Sequence, residues 1–316
     1  MTSQPSFKPT YLEMQRRINP FIDRYLAKEQ LRDRLEDLPA QFETPHVRAW
    51  KPIDWQTISS EQVIGLDLDV FLAILKGAMD TEAPIRHYTQ TSRKYLEQLH
   101  PNMARFVGGT VSDDGALLEP GLWEKEERQH TPALLKIYTH LTGEKAVLNP
   151  HQVRAYQPSD NPYQDLYRHG LHRIATEYGA TCLYLWLMAH TTGTIQAVLE
   201  ELLKDEINHM TKFWGFGVWA YPETSLMRVG QILLHTAKGK VRYSRDRSSL
   251  LGTLHRMTQV LAWQSWTWTN RATFTYTCAR SLHRISQWNT NLTPDYLQTL
   301  FGAQQNRNDH SYALRR

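Results

Sequence analysis

Cysteine is nearly missing from this chain: there are two in 316 residues, Cys182 and Cys278. They stand far apart, with no paired spacing. That argues against a disulfide scaffold or a thiolate zinc site and predicts two reduced, mostly buried thiols. No long hydrophobic run occurs either. The greasiest stretch, Cys182 to Ala189, falls far short of the roughly 18–20 apolar residues a membrane span needs. The opening MTSQPSFKPTYLEMQRR has neither an apolar core nor a small-residue cleavage site, so no secretory leader is expected and the expected location is cytoplasmic. Charge of one sign is scarce as well. Lys+Arg 36 against Asp+Glu 32 leaves +4, too little to argue for a nucleic-acid partner. Asn-Gly is absent, and the single Asp-Gly, Asp114-Gly115, sits in a polar stretch, so no hairpin is predicted.

What is present is apolar mass with helical spacing. Hydrophobic residues make up 41%, enough for a sizeable core. Long windows carry apolar residues at i, i+3, i+4 and i+7, and none sustains alternation, so the fold class is all-α with roughly eight or more helices. A first helical segment is predicted over about Tyr11 to Leu38, broken near Pro20. After a proline-rich loop, Ser59-Ser60-Glu61-Gln62 offers a capping box into a helix reaching as far as Leu99. The segment from Gly108 to Gly115 reads as a loop. A third helix spans about Pro120 to Thr142 and stops at Gly143. Another linker covers Asn149 to Pro162, followed by a helix to about Ala189 and, after Thr191-Thr192-Gly193, one from Thr194 to about Phe216. The chain divides into an N-terminal helical extension (1–58) packed on a bundle core (59–218), with C-terminal helices (219–316) in the same unit.

A bundle interior is where facing helices converge on a metal. On a helix, i and i+3 share a face, so Glu-x-x-His brings one carboxylate and one imidazole to one point. With 17 Glu and 14 His, chance supplies about 0.75 such spacings; the chain has four. Glu43/His46 contains Pro45 and lies in a loop, and Glu97/His100 runs directly into Pro101. The other two, Glu127/His130 and Glu206/His209, fall inside long predicted helices. Each is preceded by a further acid, Glu126 and Asp205. A metal-bound imidazole commonly donates its other N–H to a carboxylate, so each outer acid can serve the His of the opposite helix.

A paired carboxylate site needs one more Glu from each of two other helices. Glu177 is the only acid in the buried-looking middle of its helix, with pairing to Arg173 as the plainer alternative. Glu82 is the candidate on the second helix, with Asp80 as its fallback. Four carboxylates and two imidazoles suit two iron ions, with manganese as an alternative occupant, rather than a structural zinc. His87 reads as a surface residue or as support behind the ligands, and His169 and His172 read as ordinary helix residues.

At these residues the sequence resembles the ferritin-like di-iron carboxylate superfamily, and most of all the soluble acyl-acyl-carrier-protein desaturases. Trp123-Glu124-Lys125-Glu126-Glu127-Arg128-Gln129-His130 is similar to the family's W-x-x-E-E-x-x-H segment. Tyr138-Thr139-His140-Leu141-Thr142-Gly143 is similar to its Y-x-x-L-x-G helix end, and Asp205-Glu206-Ile207-Asn208-His209 to its D-E-x-x-H motif. The resemblance covers roughly Gly77 to Phe213. It implies a ferritin-like four-helix bundle with Glu82, Glu127, His130, Glu177, Glu206 and His209 as iron ligands, and a catalytic threonine at Thr181. That threonine stands four residues after Glu177 where the family has three, and the stretch after Glu82 is offset by a residue. Further implications are O2-dependent oxidation of a C–H bond in a fatty acyl chain, a ferredoxin-type electron donor, an acyl carrier protein or other acyl carrier as partner, and a homodimer.

The same metals would also suit a ferritin-like iron-oxidising or peroxide-handling protein, and a helical interaction protein would need none. Tyr184, Trp186, Trp214 and Phe216 read as core packing or as the lining of an apolar channel. Trp263, Trp266 and Trp268 read as packing or an oligomer interface. Lys238 to Arg247 holds five basic residues against one acid, either a solvated turn or a docking patch for an acidic carrier.

Overall fold

Periodic burial of one face makes the helices, and interruptions of that period by proline and glycine set where they stop. The computed structural model describes residues 9–153, 155–222, 258 and 260–302, and these are mostly helical. The basic stretch Lys238 to Arg247 lies outside them.

The first segment comprises α1 (Tyr11–Tyr25), α2 (Lys28–Glu36) and α3 (Leu38–Glu43). Pro20 lies within α1 and does not break it. The buried stripe Met14, Ile18, Ile22 and Tyr25 continues across it, and that packing outweighs one lost hydrogen bond. The break comes at Leu26–Ala27.

The expected helix from Ser59 to Leu99 is divided. Ser60–Gln62 forms only a 3-10 turn with no side-chain cap, and the chain reverses at Gly65, where φ is +67°. α4 (Leu68–Glu82) and α5 (Ile85–Leu96) are separated at Ala83–Pro84. A proline ring clashes with the carbonyl four residues back; here that is Asp80, whose oxygen instead accepts the His151 N–H at 3.0 Å.

α6 (Pro101–Gly108) leads into a small antiparallel hairpin, β1 (Thr110–Val111) and β2 (Leu117–Glu119), where the sequence reads as a loop. Turn chemistry suffices to form it. The Asp114 carboxylate accepts from the Ser112 hydroxyl and the Ala116 N–H, and Gly115 has φ +83°. Strands this short carry no alternation to detect. Gly109 is obligatory, because it has φ +80° and a Cβ there would sit 1.8 Å from the Glu119 carbonyl oxygen.

The expected helix from Pro120 to Thr142 is two helices, α7 (Leu122–Glu127) and α8 (His130–Thr142). Pro132 again explains the break, since its ring excludes a helical carbonyl at Arg128. Gly143, left-handed at φ +76°, ends α8 as the sequence indicates. Glu127 thus closes one helix and His130 opens the next.

α9 (Pro162–Ala189) and α10 (Gly193–Ala220) are joined by three residues and run antiparallel as the central pair. α4 packs on α8, α5 on α9, and α7 on both α5 and α10. α11 (Trp268–Asn289) lies on α9 and α1, and α12 (Pro294–Phe301) on α10, while α2 also covers α10. The buried apolar residues from Met14 to Phe301 form one continuous core. No described helix is long and apolar enough to cross a membrane. Both cysteines are free thiols, Cys182 buried and Cys278 half-buried.

Candidate metal centre

Six side chains from four parts of the chain converge inside this core. Ligand-type atoms of Glu127, Glu177, Glu206 and His209 lie within 4.8 Å of one another, as do those of Glu82, His130 and Glu206. Glu206 belongs to both groups. Glu127 also faces both, with Oε1 2.8 Å from His209 Nδ1 and Oε2 3.3 Å from His130 Nδ1. Glu206 Oε1 is 3.3 Å from His130 Nδ1. Glu82 closes on His130 at 3.8 Å and Glu177 on His209 at 3.9 Å. The two imidazole centroids are 6.4 Å apart. Glu82 ends α4, Glu127 and His130 flank the α7–α8 break, Glu177 is midway along α9, and Glu206 and His209 share one face of α10.

Around these six stands an outer layer of acids. His130 Nε2 faces Asp205 Oδ2 at 3.4 Å, and His209 Nε2 faces Glu126 Oε2 at 2.8 Å. Each imidazole therefore meets the acid that precedes the glutamate of the other Glu-x-x-His unit. With Nε2–H donated outward, Nδ1 is the ring atom left facing the centre, and it would offer a lone pair to a cation that displaced its proton. The Trp123 indole donates to Glu127 Oε1 at 3.0 Å, and the Tyr184 hydroxyl donates to Glu82 Oε1 at 2.7 Å.

Electrostatically the cluster is crowded. Burial, with the Glu127 and Glu177 charges adding to it, pushes the Glu82 carboxyl up to about 7. Burial and the Glu127 charge push Glu206 up to about 7, and Glu177 is pushed well above the usual range by burial, Glu127 and Glu206. Burial also opposes ionisation of Glu127, but the two imidazoles outweigh it and hold its carboxyl below the usual range. His130 and His209 are raised by their carboxylate neighbours despite burial.

The donor set fits a pair of divalent cations. The Nδ1 atoms of His130 and His209 and Oε2 of Glu82 are buried with no hydrogen-bond partner, which is costly unless something else meets them. Four ionised carboxylates would balance the charge of two such ions, and an oxygen-rich donor set with two imidazoles would suit iron or manganese.

Thr181 is fully buried on α9, one turn beyond Glu177, with its hydroxyl unpartnered. Asp80 is engaged elsewhere, accepting the Asn149 N–H and pairing with Lys76. Arg173 lies over the Tyr88 and Trp123 rings. His87 is exposed, and His169 bonds Ser92 and stacks on Tyr95. Neither Glu43/His46 nor Glu97/His100 joins the cluster: His46 bonds Gln41, and His100 sits against Phe216 and Trp219. Trp186 stacks on Trp266, Trp214 bonds Asn289, and Trp263 packs on Trp266, while Trp268 is 83% exposed.

Sequence reasoning missed Arg48, Trp50 and Glu201. Arg48 and Trp50 come from the proline-rich loop before α4 and reach Asp205 at 2.7 and 2.8 Å. No local pattern marks them, because their partners lie more than 150 positions away. Tyr184, read as packing or channel lining, holds Glu82. Compared with protein-family models, with curated proteins and with solved structures, the chain matches none.

Proposed function

We propose that this chain is a di-iron carboxylate oxidoreductase on a ferritin-like bundle, using O2 to oxidise a C–H bond of an apolar, fatty-acyl-type substrate, as the desaturases it resembles do. One observation carries the reading: four carboxylates and two imidazoles converge in the interior, with Nδ1 of both imidazoles and Oε2 of Glu82 buried and unpartnered. Glu82, Glu127, Glu177, Glu206, His130 and His209 would hold the metals. Iron bound there supplies reduction of O2 and the oxidising power for C–H cleavage.

The chain's own residues do the rest. Asp205 and Glu126 fix the tautomer and orientation of the imidazoles. Tyr184 orients Glu82 by donating to Oε1, which leaves Oε2 without a partner, and Trp123 orients Glu127 by donating to Oε1. Trp123 and Tyr184, both buried and bonded to cluster carboxylates, help keep bulk water from the centre. The unpartnered Thr181 hydroxyl is the chain's own group able to donate or accept a proton close to Glu177. An acyl carrier protein or other acyl carrier, a ferredoxin-type donor and a homodimer belong to this proposal through the resemblance.

The test is bound iron per chain after anaerobic ferrous reconstitution and desalting, with wild type beside Glu127→Ala/Glu206→Ala. The expected result is about two irons in wild type and their loss in the double variant, followed by oxidation of long-chain acyl substrates when reductant and O2 are supplied. Absence of iron from wild type would overturn the metal reading. Ferrous oxidation without acyl turnover would assign the chain to iron or peroxide handling instead.

A further inference from the structure

Arg48 stands 78 positions from Glu126 and 157 from Asp205, yet it touches both acids that face the imidazoles. Its Nε donates to Asp205 Oδ1 at 2.7 Å, Nη1 donates to the Glu201 carboxylate, and Nη2 donates to the Glu201 carbonyl at 2.7 Å. Its main-chain N–H donates to Glu126 Oε1 at 3.1 Å. Each outer acid is thereby divided. Asp205 gives Oδ1 to Arg48 and Oδ2 to His130 and Trp50, while Glu126 gives Oε1 to Arg48 and Oε2 to His209. A carboxylate bonded at both oxygens is restrained from rotating, and the imidazole that faces it is restrained with it.

We propose that Arg48 is the positioning residue that fixes both imidazoles at once, so that docking of the 46–50 segment and metal binding at the centre are thermodynamically coupled. This rests on the metal reading above. The guanidinium matters as a fork: three of its N–H groups reach two residues one turn apart on α10, an arrangement a point-charge ammonium cannot reproduce. That anchorage also places the main-chain N–H on Glu126. Trp50 has a narrower role, because its indole reaches Asp205 only, on the His130 side. Coupling is reciprocal, so an ion that orders the imidazoles must in turn hold the segment down.

The experiment is anaerobic Co(II) titration of the full chain, read by calorimetry and by the visible absorption of the bound ion, for wild type, Arg48→Gln, Arg48→Lys and Trp50→Phe. It is accompanied by amide hydrogen exchange over 46–54 with and without Co(II). Wild type is expected to bind about two ions. Arg48→Gln should weaken both by about 10–100-fold and alter the absorption of both, Arg48→Lys should restore only part of this, and Trp50→Phe should weaken one ion. Co(II) should slow exchange over 46–54 in wild type and fail to do so in Arg48→Gln. A merely structural Arg48 would change the melting of the metal-free protein while leaving absorption and affinity as in wild type, which would overturn the proposal. So would exchange over 46–54 that ignores the metal in wild type, a result that stands even if Arg48→Gln does not fold. No Co(II) binding by wild type would remove the metal reading and this inference together, whereas two ions bound equally well by wild type and Arg48→Gln would remove this inference alone.

Discussion

Replacing Glu206 by glutamine should make the metal-free protein more stable while destroying its capacity for metal. The structure supplies the magnitude. Burial and the Glu127 charge raise the Glu206 carboxyl to about 7, against about 4.5 in the unfolded chain. A carboxyl whose folded value is raised favours folding below its unfolded value, and that stability is lost as pH rises through the folded value. At pH 8 the group is ionised in both states, and the folded protein bears up to about 3 kcal/mol from holding that charge. At pH 5.5 the folded carboxyl is already largely protonated, and the residual cost is about 1 kcal/mol. Glutamine keeps the shape and is never charged. Glu206→Gln should therefore raise the melting temperature of metal-free protein by roughly 5–10 °C at pH 8 and much less at pH 5.5. Calorimetric melting in a chelator at the two pH values, with a parallel ferrous titration, reads both effects. Equal or lower stability of the variant at pH 8 would refute the reasoning, because it would mean the buried carboxylates are not in mutual conflict.

Three further outcomes are expected. Asp205→Asn and Glu126→Gln should each lower metal affinity about 10–100-fold, the first at the His130 position and the second at the His209 position, as read by calorimetric titration. His190 is buried against Trp186 at 4.2 Å, and its ring Nδ1 lies 3.0 Å from the Ile64 carbonyl oxygen. Burial lowers its folded value to about 4, so its contribution is intact above the unfolded value near 6.5 and up to about 3 kcal/mol is lost as pH falls toward 4. Urea midpoints between pH 7 and 4 should drop accordingly, with the drop flattened in His190→Gln. Trp186→Ala should cost about 3–5 kcal/mol in equilibrium unfolding, because the indole is fully buried, stacks on Trp266 and donates to Thr273.

Helical class was legible because it needs only local periodicity and its punctuation. Gly143 shows this directly, since a glycine after the last apolar repeat marks a left-handed stop whatever surrounds it. Prolines were legible as obstacles but not as outcomes. Pro20 is carried through α1 by a buried stripe that only the packed helix possesses, whereas Pro84 and Pro132 do divide their helices. The Glu-x-x-His units were legible for the same local reason. Glu127/His130 keeps its three-residue spacing even though the helix is broken between the two, because Arg128 and Gln129 stay near helical torsions.

The sequence by itself determined which side chains were able to share a helix face: Glu206 with His209, Asp205 beside them, and Glu177 as the lone acid of an apolar stretch. It could not determine which faces meet. Asp205 faces His130 and Glu126 faces His209 only because α7, α8 and α10 pack together. The choice of Glu82 over Asp80 was likewise made by the end of α4, where Pro84 frees the Asp80 carbonyl for His151 and the Asp80 carboxylate binds Asn149. Arg48 and Trp50 were decided by tertiary structure alone. A loop has no period to read, and a guanidinium finds buried carboxylates across the fold only once the core has closed around them.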